Sequence, residues 1–340
     1  MKKKFILTAI MGAIILLIGN VVNAAEAEVV KAKEEKAVEW YYLSADDKFG
    51  KYYDPKSVKV VKKAKTDDGR EIATEIEAWT KTTYTYAGAE STIKAYGISN
   101  TIPDPNNLSY SLALLKINPQ TRTVQYARED FYNAEGTVIW SASEGRVKEI
   151  NSKSFDEEFY AYIVDEVFRQ GEVDRKNAKN RWIDLWTYTD DKGNTTKVTA
   201  DTTTMQLKGT NLILWEWQET KNSSGQVTEI RFMKKAVNLP QGTERITAGS
   251  LWTVSSKKWT DLDDEYDGAY RSIKEEDPDY KGLVRLRAFA KGYSTWVTRY
   301  SITGNAMQVQ APSPADAPSK AEEEPPVAVP TNNSQDKFRD

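Results

Sequence analysis

One succession of landmarks runs through this chain twice, and that recurrence limits its fold more than any other feature. The first half opens with Trp40-Tyr-Tyr-Leu43 and the second with Trp182-Ile-Asp-Leu185. A polar turn follows each, Asp46-Asp-Lys-Phe-Gly50 and Asp190-Asp-Lys-Gly193. Tyr53-Asp-Pro-Lys-Ser57 then answers to Ala200-Asp-Thr-Thr-Thr204, and Trp79-Thr-Lys-Thr82 to Trp217-Gln-Glu-Thr220. Pro119-Gln-Thr121 answers to Pro240-Gln-Gly-Thr243. No single match decides anything, but their common order points to two related domains in tandem.

Hydrophobic spacing indicates what each domain is made of. Ile72, Thr74, Ile76 and Ala78 alternate with Glu71, Glu75 and Glu77, the period of a half-buried strand. Asp68-Gly69 and Asn133-Ala-Glu-Gly136 are hairpin turns between β-rich runs, and Leu112–Ile117 and Val138–Trp140 read as strands. Phe155, Phe159, Ile163 and Val167 recur every four residues, with Ser154 as N-cap, Glu157 three residues later and Gly171 just past the end. That is an amphipathic helix. In the second half Leu262, Tyr266, Tyr270 and Ile273 suggest its counterpart, followed by strands over Leu283–Ala290 and Ser294–Ile302. The expected class is α+β: two tandem domains, each an antiparallel β-sheet backed by a C-terminal α-helix.

Composition bears on chemistry by exclusion. The 340 residues include no Cys and no His, which removes disulfides, Cys/His metal sites and His-based nucleophilic machinery. Residues 1–24 read as a secretory signal: Lys2, Lys3 and Lys4, an apolar run from Phe5 to Ile18, and Val22-Asn23-Ala24 before the cut. The apolar run is shorter than the ~20 residues a spanning helix needs, so no transmembrane segment is expected after cleavage. Cleavage takes the net charge from −3 to −6, which disfavours nucleic acid as a partner. Residues 25–39 form a polar leader, and 305–340 hold 6 of the 12 prolines and the Glu322-Glu323-Glu324 run, the composition of a disordered tail. The domains then span 40–171 and 181–304, with 172–180 as a polar linker.

The pattern Trp40-x-x-Leu, Gly50-x-Tyr-Tyr-Asp54-Pro-x-Ser57-Val, a Trp-centred strand and Tyr132-x-x-x-Gly136-x-x-Ile-Trp140-Ser resembles the surface-adhesin protein E-like domain. Val147-Lys-Glu-Ile150 leading to Ser154 is similar to that domain's closing element. The resemblance covers most of Trp40–Arg169 and, more weakly, Trp182–Ile273. It implies an exported protein of Gram-negative bacteria, periplasmic, secreted or at the cell surface, built as an antiparallel sheet with a C-terminal helix. It also implies adhesion to host matrix proteins. Many relatives carry a Cys pair that this chain lacks.

Few constellations carry chemistry. Asp261-Leu-Asp-Asp-Glu-Tyr-Asp-Gly268 has the start of a calcium loop, but Lys274 stands where an EF-hand needs a bidentate acid, so an acidic first helical turn is the better reading. Gly88, Gly97 and Gly136 are isolated, so no phosphate loop is present. Arg285 and Arg287 alternate with Val284, Leu286 and Ala288, as on a solvated strand face. Trp182, Trp186 and Tyr188 share a strand face opposite Ile183 and Leu185, and Trp215 and Trp217 share one opposite Leu212 and Leu214. These five aromatics are the candidate binding face, with internal packing as the alternative. The expected function is non-enzymatic binding of a host extracellular-matrix protein or an envelope component, with no cofactor. A carboxylate enzyme or enzyme-regulating module acting on envelope polymers, or a structural envelope protein, is the alternative.

Overall fold

The computed structural model describes residues 38–262 and 266–303, and those from Glu39 onward belong to one compact unit. Residues 1–37, expected as a secretory signal and most of the leader, Asp263–Glu265 of the acidic run, and 304–340, including the expected tail, lie outside the described residues.

Two eight-stranded antiparallel sheets with accompanying helices make the protein mixed α+β. The first contains β1 (Tyr41–Ala45), β2 (Phe49–Tyr53), β3 (Lys59–Lys65), β4 (Glu71–Tyr84), β5 (Tyr110–Asn118), β6 (Thr123–Tyr132), β7 (Val138–Ser143) and β8 (Lys148–Glu149). Its order is β1-β2-β4-β5-β6-β7, with β3 paired to β4 and β8 to β6. The second contains β9 (Trp182–Thr189), β10 (Thr195–Asp201), β11 (Gln206–Lys208), β12 (Asn211–Lys221), β13 (Val227–Asn238), β14 (Thr243–Thr253), β15 (Trp259–Asp261) and β16 (Arg271–Ser272). Its order is β9-β10-β12-β13-β14-β15, with β11 paired to β12 and β16 to β14. Strand for strand, the two topologies coincide.

The correspondence reaches single hydrogen bonds. Asp54 accepts from the Lys56 N–H, and Ser57 Oγ accepts from the Trp79 N–H; likewise Asp201 accepts from the Thr203 N–H, and Thr204 Oγ1 from the Trp215 N–H. Trp79 therefore corresponds to Trp215, two residues before the Trp217 that sequence matching selects. Asn118 and Asn238 each cap a turn of the same length, which aligns Pro119 with Leu239 rather than Pro240. In that turn Arg122, with φ +54°, stands where the other copy has Gly242, with φ +63°. The left-handed backbone costs a side-chain-bearing residue ~1–2 kcal/mol, so something must hold Arg122 there.

Five helices complete the chain: α1 (Tyr86–Tyr96), α2 (Glu157–Phe168), α3 (Glu172–Asn177), α4 (Pro278–Gly292) and α5 (Ser294–Val297). Helix α2 sets Phe159 and Ile163 into the first core against Ile76, Leu115 and Ile117, each fully buried. Burial of such a side chain contributes ~1.5–3 kcal/mol. Val167 is only half-buried, and Phe155 is 36% exposed because α2 starts two residues after it, at Glu157. The expected capping box does not form. Ser154 Oγ accepts from the Asn151 N–H, and Glu157 turns away to Arg181. The chain leaves α2 through Arg169 in the left-handed region, while Gly171 precedes α3. Residues 172–177 of the expected linker are thus helical, and Glu172 is among the most buried side chains.

The second half departs further from expectation. The described residues of Leu262–Ile273 do not form a helix: Leu262 and Ile273 are tied by their N–H groups to Gly249 and Gly242, beside short β15 and β16. The helix matching α2 is α4, in the stretch expected as a strand. Leu283, Leu286, Phe289 and Ala290 are its buried face, a 3.6-residue period that the Arg/Val/Leu alternation masks. Asp277-Pro278 is the start signal in the sequence that marks it. The Ser294–Ile302 stretch is likewise α5 and a turn rather than a strand. Among the described residues no helix is long and apolar enough to cross a membrane.

Candidate functional site: an open aromatic face on the first sheet

The five candidate aromatics do not form one face. A β-bulge at Leu185 sets Val198 opposite Trp186 but Thr199 opposite Asp184, which shifts side-chain parity along β9. Trp182 consequently lies on the face of Trp215 and Trp217, while Trp186 and Tyr188 lie on the other. Trp186 packs beneath α4, its indole N–H donating to Asp279 Oδ1 at 2.9 Å. Gly282 permits that approach, since a Cβ there would meet Trp186 Cδ1 at 3.2 Å. Tyr188 is exposed.

The Trp215 face is covered by the first half of the chain. Glu149 accepts from Trp215 Nε1 at 3.0 Å and from Lys234 Nζ at 2.6 Å. Trp215 is 8% exposed and stacks on Phe232, ring centroids 4.5 Å apart. Trp217 tilts against Phe232 and Trp259, and the Lys153 ammonium sits 3.4 Å from the Trp259 ring centroid. Trp215, Phe232 and Trp259 thus meet the first half of the chain, and Trp217 is partly buried against them.

The topologically equivalent face of the first sheet is the open one. Tyr42 pairs across to Tyr52, Tyr52 to Lys81, and Lys81 to Leu112. Trp79, opposite Leu114, lies in the next row, and Tyr110 stacks on Tyr132 at 4.8 Å. Lys81 Nζ lies 4.7 Å from the Tyr110 ring centroid. Tyr42 is 55% exposed; Tyr52, Trp79, Tyr110 and Tyr132 are half-exposed. Glu75 and Glu77 lie beside them, neutralised by Lys62 at 2.6 Å and Lys59 at 3.0 Å. Sequence spacing places only those acids and Trp79 on this face. The tyrosines come from β1, β2, β5 and β6, and only strand pairing gathers them.

Burial raises the Tyr132 hydroxyl on this face, and the perturbed carboxylates lie elsewhere. At the junction of the halves, Glu172 Oε1 accepts from Arg299 Nε at 2.9 Å and from the Tyr300 hydroxyl at 3.0 Å, with Arg122 at 3.3 Å from its other oxygen. Arg181 bridges Glu157 and Asp201. Burial would raise the carboxyls of Glu172 and Asp201, but the guanidinium groups outweigh it and hold both below the usual range. Three cations and three carboxylates from distant segments are thus closed into one neutral network. It also explains the Arg122 backbone, whose side chain is needed there.

A second enclosed cluster occupies the core of the second sheet. Where the first sheet places Thr80, Leu115 and Val124, the second places Glu216, Lys235 and Glu244. Lys235 Nζ is 2.8 Å from Glu216, 3.3 Å from Glu244 and 3.9 Å from Asp279 of α4. Arg271 pairs with Glu244 and Asp279. Glu216 Oε2 has the close ion pair but no aligned hydrogen bond, and burial pushes its carboxyl up to about 7. A cavity of about 10 Å³, room for one water, adjoins it. In the first half of the chain, burial likewise raises Glu129 on β6 and Asp156 at the start of α2, which accept from the hydroxyls of Tyr96 and Tyr126. Glu129, Asp156 and Glu216 are each no more than 5% exposed, so none meets a ligand from solvent. Arg285 and Arg287, expected on a strand, bind the α4 helix to the main-chain carbonyls of Asp184 and Leu239.

Compared with known proteins, the chain matches no family model, no characterised protein and no solved structure.

Proposed function

We propose that this chain is an exported, non-enzymatic binding protein, adhesin-like in role, whose binding surface is the outward face of the first sheet. The observation that carries the reading is the contrast between two equivalent faces. Trp215 is buried beneath Glu149 and Lys153 reaches the Trp259 ring, whereas around Trp79 Tyr42 is exposed and Tyr52, Tyr110 and Tyr132 are partly buried. Exposed aromatic clusters mark interaction sites, because large rigid rings offer contact area at low entropic cost. The ligand class is a host matrix protein or an envelope component. Export rests on the Lys2–Ala24 segment, and the adhesive role on the sequence resemblance around Tyr53–Ser57 and Tyr132–Trp140.

The test is binding of the purified chain to immobilised extracellular-matrix proteins and to isolated envelope material, before and after Trp79→Ala and Lys81→Ala. Each substitution should weaken binding at least tenfold with little change in thermal stability. Binding that survives both unchanged refutes this assignment of the surface.

A further inference from the structure

The two sheets finish differently along one edge. In the first, β7 and β8 both pair with β6, and the chain between them closes the gap they leave. Tyr126 O accepts there from the Gly145 N–H at 2.9 Å, and Ala127 O from the Glu144 N–H at 3.1 Å. Gly145 O in turn accepts from Gln125 Nε2 at 2.9 Å. Two successive N–H groups and the carbonyl that follows them thus fill the edge. They do so beside a β-bulge, where Leu115 faces Tyr126 and Leu114 faces Arg128.

The second sheet repeats the bulge without that closure. Lys235 faces Ile246 and Lys234 faces Ala248, so Arg245, Ile246 and Thr247 answer to Gln125, Tyr126 and Ala127. The described part of the following connection is held to the sheet by its tyrosines. The Tyr266 hydroxyl accepts from Arg231 Nη1 at 3.2 Å, and the Tyr270 hydroxyl donates to Asn211 Oδ1 at 3.0 Å. Asp267 turns its carboxylate to the Ala269 N–H. Beyond β13, no described residue donates a backbone N–H to Ile246 O or Thr247 O. A groove of about 290 Å³ lies beside them, lined by residues 245–248 and 266–268.

Arg245 indicates what the groove accepts. Its Nε is buried without an acceptor, and its guanidinium stands 4.9 Å from the Tyr270 ring centroid. A glutamine amide matches one carbonyl oxygen, as Gln125 does, whereas an arginine fork matches both oxygens of a carboxylate. Two edge carbonyls followed by that fork suit a peptide that ends here, with two successive N–H groups and then a terminal carboxylate. The first sheet also shows which residues fit. Glu144 adopts φ +53°, and a Cβ on Gly145 would come 3.3 Å from Tyr126 O. Glycine meets both conditions.

We propose that this groove binds the free C-terminus of a peptide ending in Gly-Gly. The penultimate N–H donates to Thr247 O, the last N–H to Ile246 O, and the carboxylate accepts from Arg245. The site shares no residue with the aromatic face of the first sheet, so the two readings stand or fall separately. N-acetyl-Gly-Gly titrated into the isotope-labelled full chain should shift the backbone amide signals of residues 245–248 and 266–270 saturably. N-acetyl-Gly-Gly amide, which lacks the carboxylate, should bind roughly tenfold more weakly, as should the peptide methylated on its last nitrogen. Arg245→Gln should bind acid and amide equally. If that variant fails to fold, the peptide comparisons on the unaltered chain decide. No saturable shift at these residues overturns the proposal, as do equal affinities for acid and amide on the unaltered chain, or shifts that acetate alone reproduces.

Discussion

Replacing Glu216 by glutamine isolates the energetic consequence of the buried cluster under α4. Around the Glu216 carboxyl stand Lys235 from β13, Glu244 from β14, Arg271 from β16 and Asp279 from α4, with Trp186 from β9 donating to Asp279. Three carboxylates face two cations, so the ionised cluster holds one uncompensated buried negative charge. Burial raises the Glu216 carboxyl from its ordinary 4.5 to about 7. Between those two values the folded chain holds a proton that the unfolded chain has released, so stability falls as pH rises. The contribution is intact below pH 4.5 and lost by the time pH passes 7. A gap of about 2.5 pH units at 1.36 kcal/mol each gives a loss of about 3 kcal/mol. Glutamine at this position keeps the shape without the charge and leaves two carboxylates against two cations. Urea unfolding followed by Trp emission at pH 5 and pH 8 should therefore show a steeper fall for the native chain than for Glu216→Gln. At pH 8 the variant should be the more stable. Glu129, Asp156 and Glu157 are also raised by burial, but they contribute equally to both proteins. Equal slopes in the two proteins would refute the reasoning.

Other substitutions probe the junction and the faces. Arg122→Gly relieves the left-handed strain by ~1 kcal/mol but deprives Glu172 and Glu157 of a buried cation worth ~3–5 kcal/mol on removal, for a net loss of about 2–4 kcal/mol in denaturant titration. Trp215→Ala removes a ring stacked on Phe232 and the Glu149 hydrogen bond, and should cost ~3–5 kcal/mol by the same assay. Gly88→Ala places a Cβ 2.1 Å from the Lys48 carbonyl oxygen and should lower stability by ~1–3 kcal/mol, seen as a fall in Tm, because α1 must move off the β1–β2 turn.

Local spacing and turn chemistry determine a good deal of this protein. Asp68-Gly69 and Asn133–Gly136 carry hairpins, with Gly69 and Gly136 at φ +82° and +78°. Ile76 and Ala78 point into the first core, and Phe159 and Ile163 define α2. Each signal is contained within about ten residues, so the sequence exposes it. The matched landmarks of the two halves are legible for the same reason, although register slips by two at Trp79 and by one at Pro119. Tertiary structure decides what depends on distant partners. Leu283–Ala290 fits both a two-residue and a 3.6-residue period over its length, and only the apolar surface of the second sheet selects the helix. One extra residue at Leu185 turns Trp186 and Tyr188 away from Trp182, a parity change no composition records. Arg122, Glu172 and Arg299 are unremarkable charges in sequence and become a buried network because three remote segments converge. Which aromatic face stays open is settled in the same way. Burial belongs to pairs of surfaces, and Trp215 is enclosed because Glu149 and Lys153 meet its sheet, while Trp79 at the equivalent position is only partly buried.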